Sequence, residues 1–232
     1  MGRGGAEARI VVNLLQAKTS DKLDQMDARG IANVHHSMAR LHDSRRKVAP
    51  NKERALLLEA MQRRARATAG EFQPQSVANL MWALATMGEK ADRGLLEAMQ
   101  TRATATAGEF IPQAVANLLW ALATMGERAD RELLEAMQRR ATATEGEFVP
   151  QAAMQRRATA TAGEFIPQAV ANLLWALATM GEKADQQLLE AMQRQAMATA
   201  EKFTPQAVTN VLWALSTMGE RADRGLLEAM QR

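Results

Sequence analysis

Along most of this chain the apolar residues return every three or four positions in short blocks, and the blocks themselves return. Between Val77 and Met87, the residues Val77, Leu80, Met81, Leu84 and Met87 fall on one side of a helical wheel at 100° per residue. Gln75, Asn79, Trp82 and Thr86 fall within about 60° of one another on the opposite side. This pattern predicts a first helix in each block, clearest from Pro112 to Met125. Proline at the first helical position loses no hydrogen bond, and Thr204 stands ahead of Pro205 as an N-cap. Gly126 follows Met125, with Gly88, Gly181 and Gly219 in the same place, so each first helix should end on a C-cap glycine. A second helix is predicted from about Asp130 to Thr144, with Asp130 as N-cap, Glu132 in the first turn and Leu133, Leu134 and Met137 as its apolar stripe. Gly146 is expected to stop it, and the threonines of its tail, Ala141 to Thr144, predict a frayed end.

The two helices form a 38-residue unit that opens at Phe72 and again at Phe110, Phe148, Phe165 and Phe203. A period near 40 with two helical blocks per copy predicts an all-α fold, a right-handed α-solenoid of two-helix repeats. Residues 1–25 read as an N-terminal cap helix, 26–71 as a degenerate repeat with a long basic loop and 72–147 as two full repeats. Residues 148–164 read as a truncated repeat and 165–232 as two repeats, the last incomplete; both chain ends read as truncated. Phe148 and Phe165 are 17 residues apart, so 21 of the usual 38 are missing, among them a Trp and the leucine stripe of a second helix. One helix in place of two predicts a weak interface and a kink between Phe148 and Phe165.

The polar stripe is the candidate site. Gln75, Asn79, Trp82 and Thr86 are followed in later copies by Gln113, Asn117, Trp120 and Thr124. Gln168, Asn172, Trp175 and Thr179 come next, and then Gln206, Asn210, Trp213 and Thr217. Amides supply donors and acceptors, and an indole offers a stacking face. The alternative is that Trp and Asn pack at the seam between neighbouring first helices, leaving Gln and Thr exposed. Because the stripes are identical, they cannot read different bases, and any recognition they provide is uniform or weakly specific. In the degenerate copy the same positions hold Arg29, Asn33, His36 and Arg40, and Arg45, Arg46 and Lys47 follow, which makes this turn the most favourable for phosphate.

Charge sharpens that contrast. The net charge is +3, yet residues 1–54 hold 11 Lys/Arg against 6 Asp/Glu, and the rest hold 18 against 20. The basic stretch either attracts nucleic acid or is a solvated loop. No apolar run approaches the ~20 residues of a membrane span, and MGRGGAEARI lacks the core of a secretory signal. With no cysteine, disulfides, thiolate metal sites and a cysteine nucleophile are excluded. His35 and His42 lie seven apart, about 10 Å along a helix, too far to share a metal. His35 replaces the apolar Met81 of the next copy and reads as a core histidine. There is no Walker loop, nucleophile elbow or His-Glu-x-x-His, so no enzyme, cofactor, metal or small-molecule substrate is expected.

The phrase F-x-P-Q-x-x-A-N-x-L-W-A-L-A-T-M-G, as in Phe110 to Gly126, resembles the octotricopeptide repeats of algal and protist organelle proteins. It is similar also to the heptatricopeptide arrays of FAST-kinase-like and RAP-domain proteins, over residues 26–232. The resemblance implies an α-solenoid that binds single-stranded RNA and supports processing, stability or translation of chloroplast or mitochondrial transcripts. Two other readings stand beside it: a protein-binding scaffold without a nucleic-acid role, since solenoids hold peptides in their concave face, and a product of repeat expansion without function.

Overall fold

The computed structural model describes residues 22–41, 52–146 and 166–230. Among these residues there are ten α-helices and no strand. The first helices are α1 (Ala28–Leu41), α3 (Pro74–Thr86), α5 (Pro112–Met125), α7 (Pro167–Met180) and α9 (Pro205–Met218). The second helices are α2 (Lys52–Ala67), α4 (Arg93–Ala105), α6 (Arg131–Gly146), α8 (Gln186–Ala198) and α10 (Arg224–Met230). The chain divides into two compact units between Ala105 and Thr106. In the first, α3 packs along α1 and α4 along α2. In the second, α7 packs on α5 and α9 on α7, while α8 packs on α6 and α10 on α8. Each unit is therefore a stack of two-helix layers, an all-α repeat array of the solenoid type.

Burial follows the predicted apolar face. Val115, Leu119 and Leu122 of α5 and Val170, Leu174 and Leu177 of α7 are fully buried, as are the repeat-opening Phe72 and Phe110. Pro112 starts α5, and Gly126 ends it in the left-handed region at φ 75°. There the Glu127 amide donates to Leu122 O at 2.9 Å and the Gly126 amide to Ala123 O at 3.1 Å, which closes the last turn. Asp130 caps α6 by accepting from the Leu133 amide at 2.8 Å.

The tails of the second helices depart from expectation. Rather than ending loosely, α2, α4 and α8 pass into 3-10 turns at Ala69–Glu71, Ala107–Glu109 and Ala200–Lys202, while α6 is helical as far as Gly146, where the expected stop lies and the described residues end. The threonines that should weaken the tail hold it instead. Thr68 Oγ1 donates to Arg64 O at 3.0 Å and Thr199 Oγ1 to Gln195 O at 2.8 Å, so each hydroxyl tightens the final turn. Arginines of the second helices then fasten the point where the layer opens: Arg102 Nε donates to Phe72 O and Arg140 Nε to Phe110 O, both at 2.7 Å. Arg64 Nε donates in the same way to Met26 O at 3.1 Å, so Met26 stands where Phe72 does. Residues 23–25 form a 3-10 turn like the others, and the remainder of the expected cap helix lies outside the described residues.

Layers are clamped by glutamines, of which Gln62 and Gln138 are buried and Gln193 is half-buried. Gln62 Oε1 accepts from the Asp92 amide at 2.8 Å and its Nε2 donates to Lys90 O at 3.2 Å. Gln138 Oε1 accepts from the Asp185 amide at 3.0 Å and Gln193 Oε1 from that of Asp223 at 2.7 Å. The truncated copy, 148–164, lies outside the described residues. The layers on either side of it touch directly, however, and α7 packs on α5 as closely as α9 packs on α7. The kink expected between Phe148 and Phe165 lies outside the described residues.

Candidate nucleic-acid interface

The stripe is present on every complete first helix, and its amides are tied together. Gln75 Nε2 donates to Asn79 Oδ1 at 2.8 Å, Gln113 to Asn117 at 2.8 Å, Gln168 to Asn172 at 2.7 Å and Gln206 to Asn210 at 2.9 Å. The i,i+4 spacing places the two side chains over one another on the helix surface. Gln75, Gln168 and Gln206 are exposed and Gln113 is half-buried, whereas the four asparagines are half-buried. Thr124, Thr179 and Thr217 are exposed, and Thr86 is half-buried.

The tryptophans belong partly to the seam. Trp82, Trp120 and Trp175 are half-buried, while Trp213 is 46% exposed. The difference follows from position, because among the described residues no further first helix packs on α9. The same comparison finds Ala171 and Ala178 of α7 buried, but their equivalents on α9, Thr209 and Ser216, exposed. The face containing these residues is the one the next layer covers, and each inner Trp lies at its margin. The packing alternative therefore accounts for part of each inner indole, and the remaining part stays open beside the amides.

In the degenerate layer, Arg29, Asn33 and Arg40 are exposed and His36 is half-buried. The His36 ring lies against that of Trp82, with centroids 5.1 Å apart and planes at 30°, so one face of this indole is already taken by the neighbouring layer. Burial lowers the His36 pKa and the nearby Arg40 charge lowers it further, which favours the neutral ring. Arg45, Arg46 and Lys47 lie outside the described residues.

His35 is a core residue. It is fully buried, and its Nδ1–H donates to Ile31 O at 2.9 Å, while Nε2 has no partner. Desolvation lowers its pKa to about 4 against the opposing effect of that bond, so the ring is neutral. No cluster of His, Asp or Glu suited to a metal occurs among the described residues, nor a helix long and apolar enough to cross a membrane.

The electrostatics separate the two helix rows. On the second helices, exposed arginines pair with glutamates one turn away: Arg63 with Glu59 at 2.6 Å, Arg93 with Glu97 and Arg131 with Glu135 at 2.9 Å. Such pairs contribute little stability, but they cancel the charge of that surface. Arg29 and Arg40 make no ion pair with another described residue. The glutamine clamps and the arginine–carbonyl bonds are structural contacts of the array without a signature in its hydrophobic periodicity. Their signal is the recurring Gln after Ala-Met in each second helix, as at Gln62, Gln138 and Gln193.

Three segments, residues 55–81, 90–119 and 182–212, match a family described as "Protein of unknown function (DUF1601)". Each match runs from a second helix across its 3-10 turn into the next first helix. No curated protein matches the chain. The recurrence of one family's pattern at three equivalent junctions agrees with the stacked layers: the chain is a helical-repeat protein.

Proposed function

We propose that this chain is an RNA-binding helical-repeat protein, holding single-stranded RNA along the stripe of its first helices and acting in the processing, stability or translation of chloroplast or mitochondrial transcripts. The observation that carries the reading is the amide pair beside a partly open indole, repeated on every complete first helix. Unstacked bases are recognised by amide donors and acceptors and by aromatic faces. Arg29 and Arg40 add exposed cations that can meet phosphates, and a guanidinium suits that partner. The organellar setting rests on the resemblance of the Phe110–Gly126 phrase to octotricopeptide and heptatricopeptide repeats. In this reading the protein is a binder, not an enzyme, with neither cofactor nor small-molecule substrate.

The net charge of −2 over residues 55–232 favours a second reading, a scaffold that binds protein segments. Fluorescence anisotropy with labelled single-stranded RNA and with a duplex of the same sequence separates the two. Binding of the single strand alone supports the proposal. Failure of both to bind, together with a partner complex indifferent to salt and nuclease, supports the scaffold.

A further inference from the structure

We propose that Trp213 is the main stacking platform of the stripe, taking one unstacked base on the outer face of α9; the inference rests on the RNA reading above. On a helix, the side chains three and four positions away are a residue's neighbours. For Trp213 these are Thr209, Asn210, Ser216 and Thr217, all four polar. At Trp175 the same places hold Ala171, Asn172, Ala178 and Thr179, so two of the four are alanine. The helices α5 and α7 have the same sequence, and α9 departs from it at three positions. One of them, Val211, is in the core. The other two, Thr209 and Ser216, are exposed and complete a polar rim around the indole.

The rim decides between two occupants of this face. Alanine stands at both places on α5 and α7, whose outer faces are covered by the next layer. Thr209 and Ser216 in their stead add bulk and two hydroxyls, which an apolar helix packed against them would leave without partners. A nucleobase offers a flat ring to the indole and polar edges to the rim. Thr209 Oγ1 donates to Pro205 O at 2.9 Å, so its oxygen remains open as an acceptor. Asn210 is held by Gln206 at 2.9 Å, three residues before Trp213 and hence on its side of the helix. The indole is 46% exposed, whereas Trp120 and Trp175 are half-buried and one face of Trp82 is taken by His36. The platform selects no particular base, because every base has a ring face to stack; it adds affinity for single strands of any sequence.

The test is a titration of the full chain with a labelled single strand of mixed sequence, about 20 nucleotides long, repeated with Trp213→Leu and Trp213→Phe. Circular dichroism checks that each variant is folded, as the exposed position should allow. Trp213→Leu keeps an apolar side chain without a π face and should weaken binding at least about fivefold, the lower end of what one stacked base contributes. Trp213→Phe should recover most of that loss. Leucine that binds as tightly as tryptophan, or phenylalanine no better than leucine, overturns the platform while RNA binding stands. Light scattering without RNA addresses the other occupant: a dimer that Trp213→Leu abolishes would make this face a protein interface and overturn the assignment. Binding of no strand by the natural chain overturns the RNA reading and this inference with it.

Discussion

Gln138 holds the backbone amide of Asp185 at 3.0 Å across 47 residues of chain, and the same bond joins Gln62 to Asp92 across 30. A bond that stays the same in kind while its chain separation changes shows that the array is built by layer-to-layer geometry, with the length between layers free to vary. Replacing the buried Gln138 with alanine strands the Asp185 amide. It should cost about 1–3 kcal/mol, more than Gln193→Ala, since Gln193 is only half-buried. Chemical denaturation of the two variants compares them, and equal small effects would remove the clamp from the account.

The difference between those separations, 47 against 30, is the length of the cut copy, Phe148 to Glu164. Deleting that copy should leave the unfolding midpoint unchanged, because it restores the separation seen at Gln62–Asp92. A midpoint lowered by the deletion would show that the cut copy supports the stack.

Stability of the first unit should depend on His35. Its folded pKa of about 4 lies below the ordinary 6.5, so between these values the unfolded state holds more protons. Stability is complete above 6.5, declines as pH falls towards 4 and then levels off. The shift corresponds to roughly 3 kcal/mol at full extent. His35→Met, which installs the residue present at Met81, should abolish this component. Denaturation at neutral and mildly acid pH, in both proteins, measures it; an identical pH dependence would rule out His35 as the cause.

Trp175 and Trp213 are equivalent in sequence but not in cover. Trp175→Ala should cost about 2 kcal/mol and Trp213→Ala less than about 1, since the second side chain buries less area. Equal losses would mean that the next layer does not cover the inner indole.

Much of this was legible in the chain. Pro112 and Gly126 mark helix ends by backbone chemistry alone, and the 3.6-residue period separates Leu119 and Leu122 from Gln113. The clamps were not legible, because Gln138 bonds to a backbone amide far along the chain and periodicity carries no signal of such a partner. The tails were misread because threonine lowers intrinsic helix propensity while Thr68 and Thr199 spend their hydroxyls on the preceding turn. That the helices flanking the cut copy pack directly on each other, α7 on α5, was not legible, because the sequence suggested an intervening layer. At the candidate site, the Gln–Asn spacing of four already contained the amide pair; the stacking of His36 on Trp82 required the fold.

The central claim, that the stripe binds single-stranded RNA with Arg29 and Arg40 meeting its phosphates, is tested most directly by the salt dependence of binding. Affinity for one single strand is measured from about 50 to 200 mM salt, for the natural chain and for Arg29→Ala/Arg40→Ala. The account predicts affinity that falls with salt, and a log–log slope about 1.4 units shallower in the variant, at ~0.7 for each phosphate no longer neutralised. No binding at low salt, or the same slope in both proteins, would contradict it.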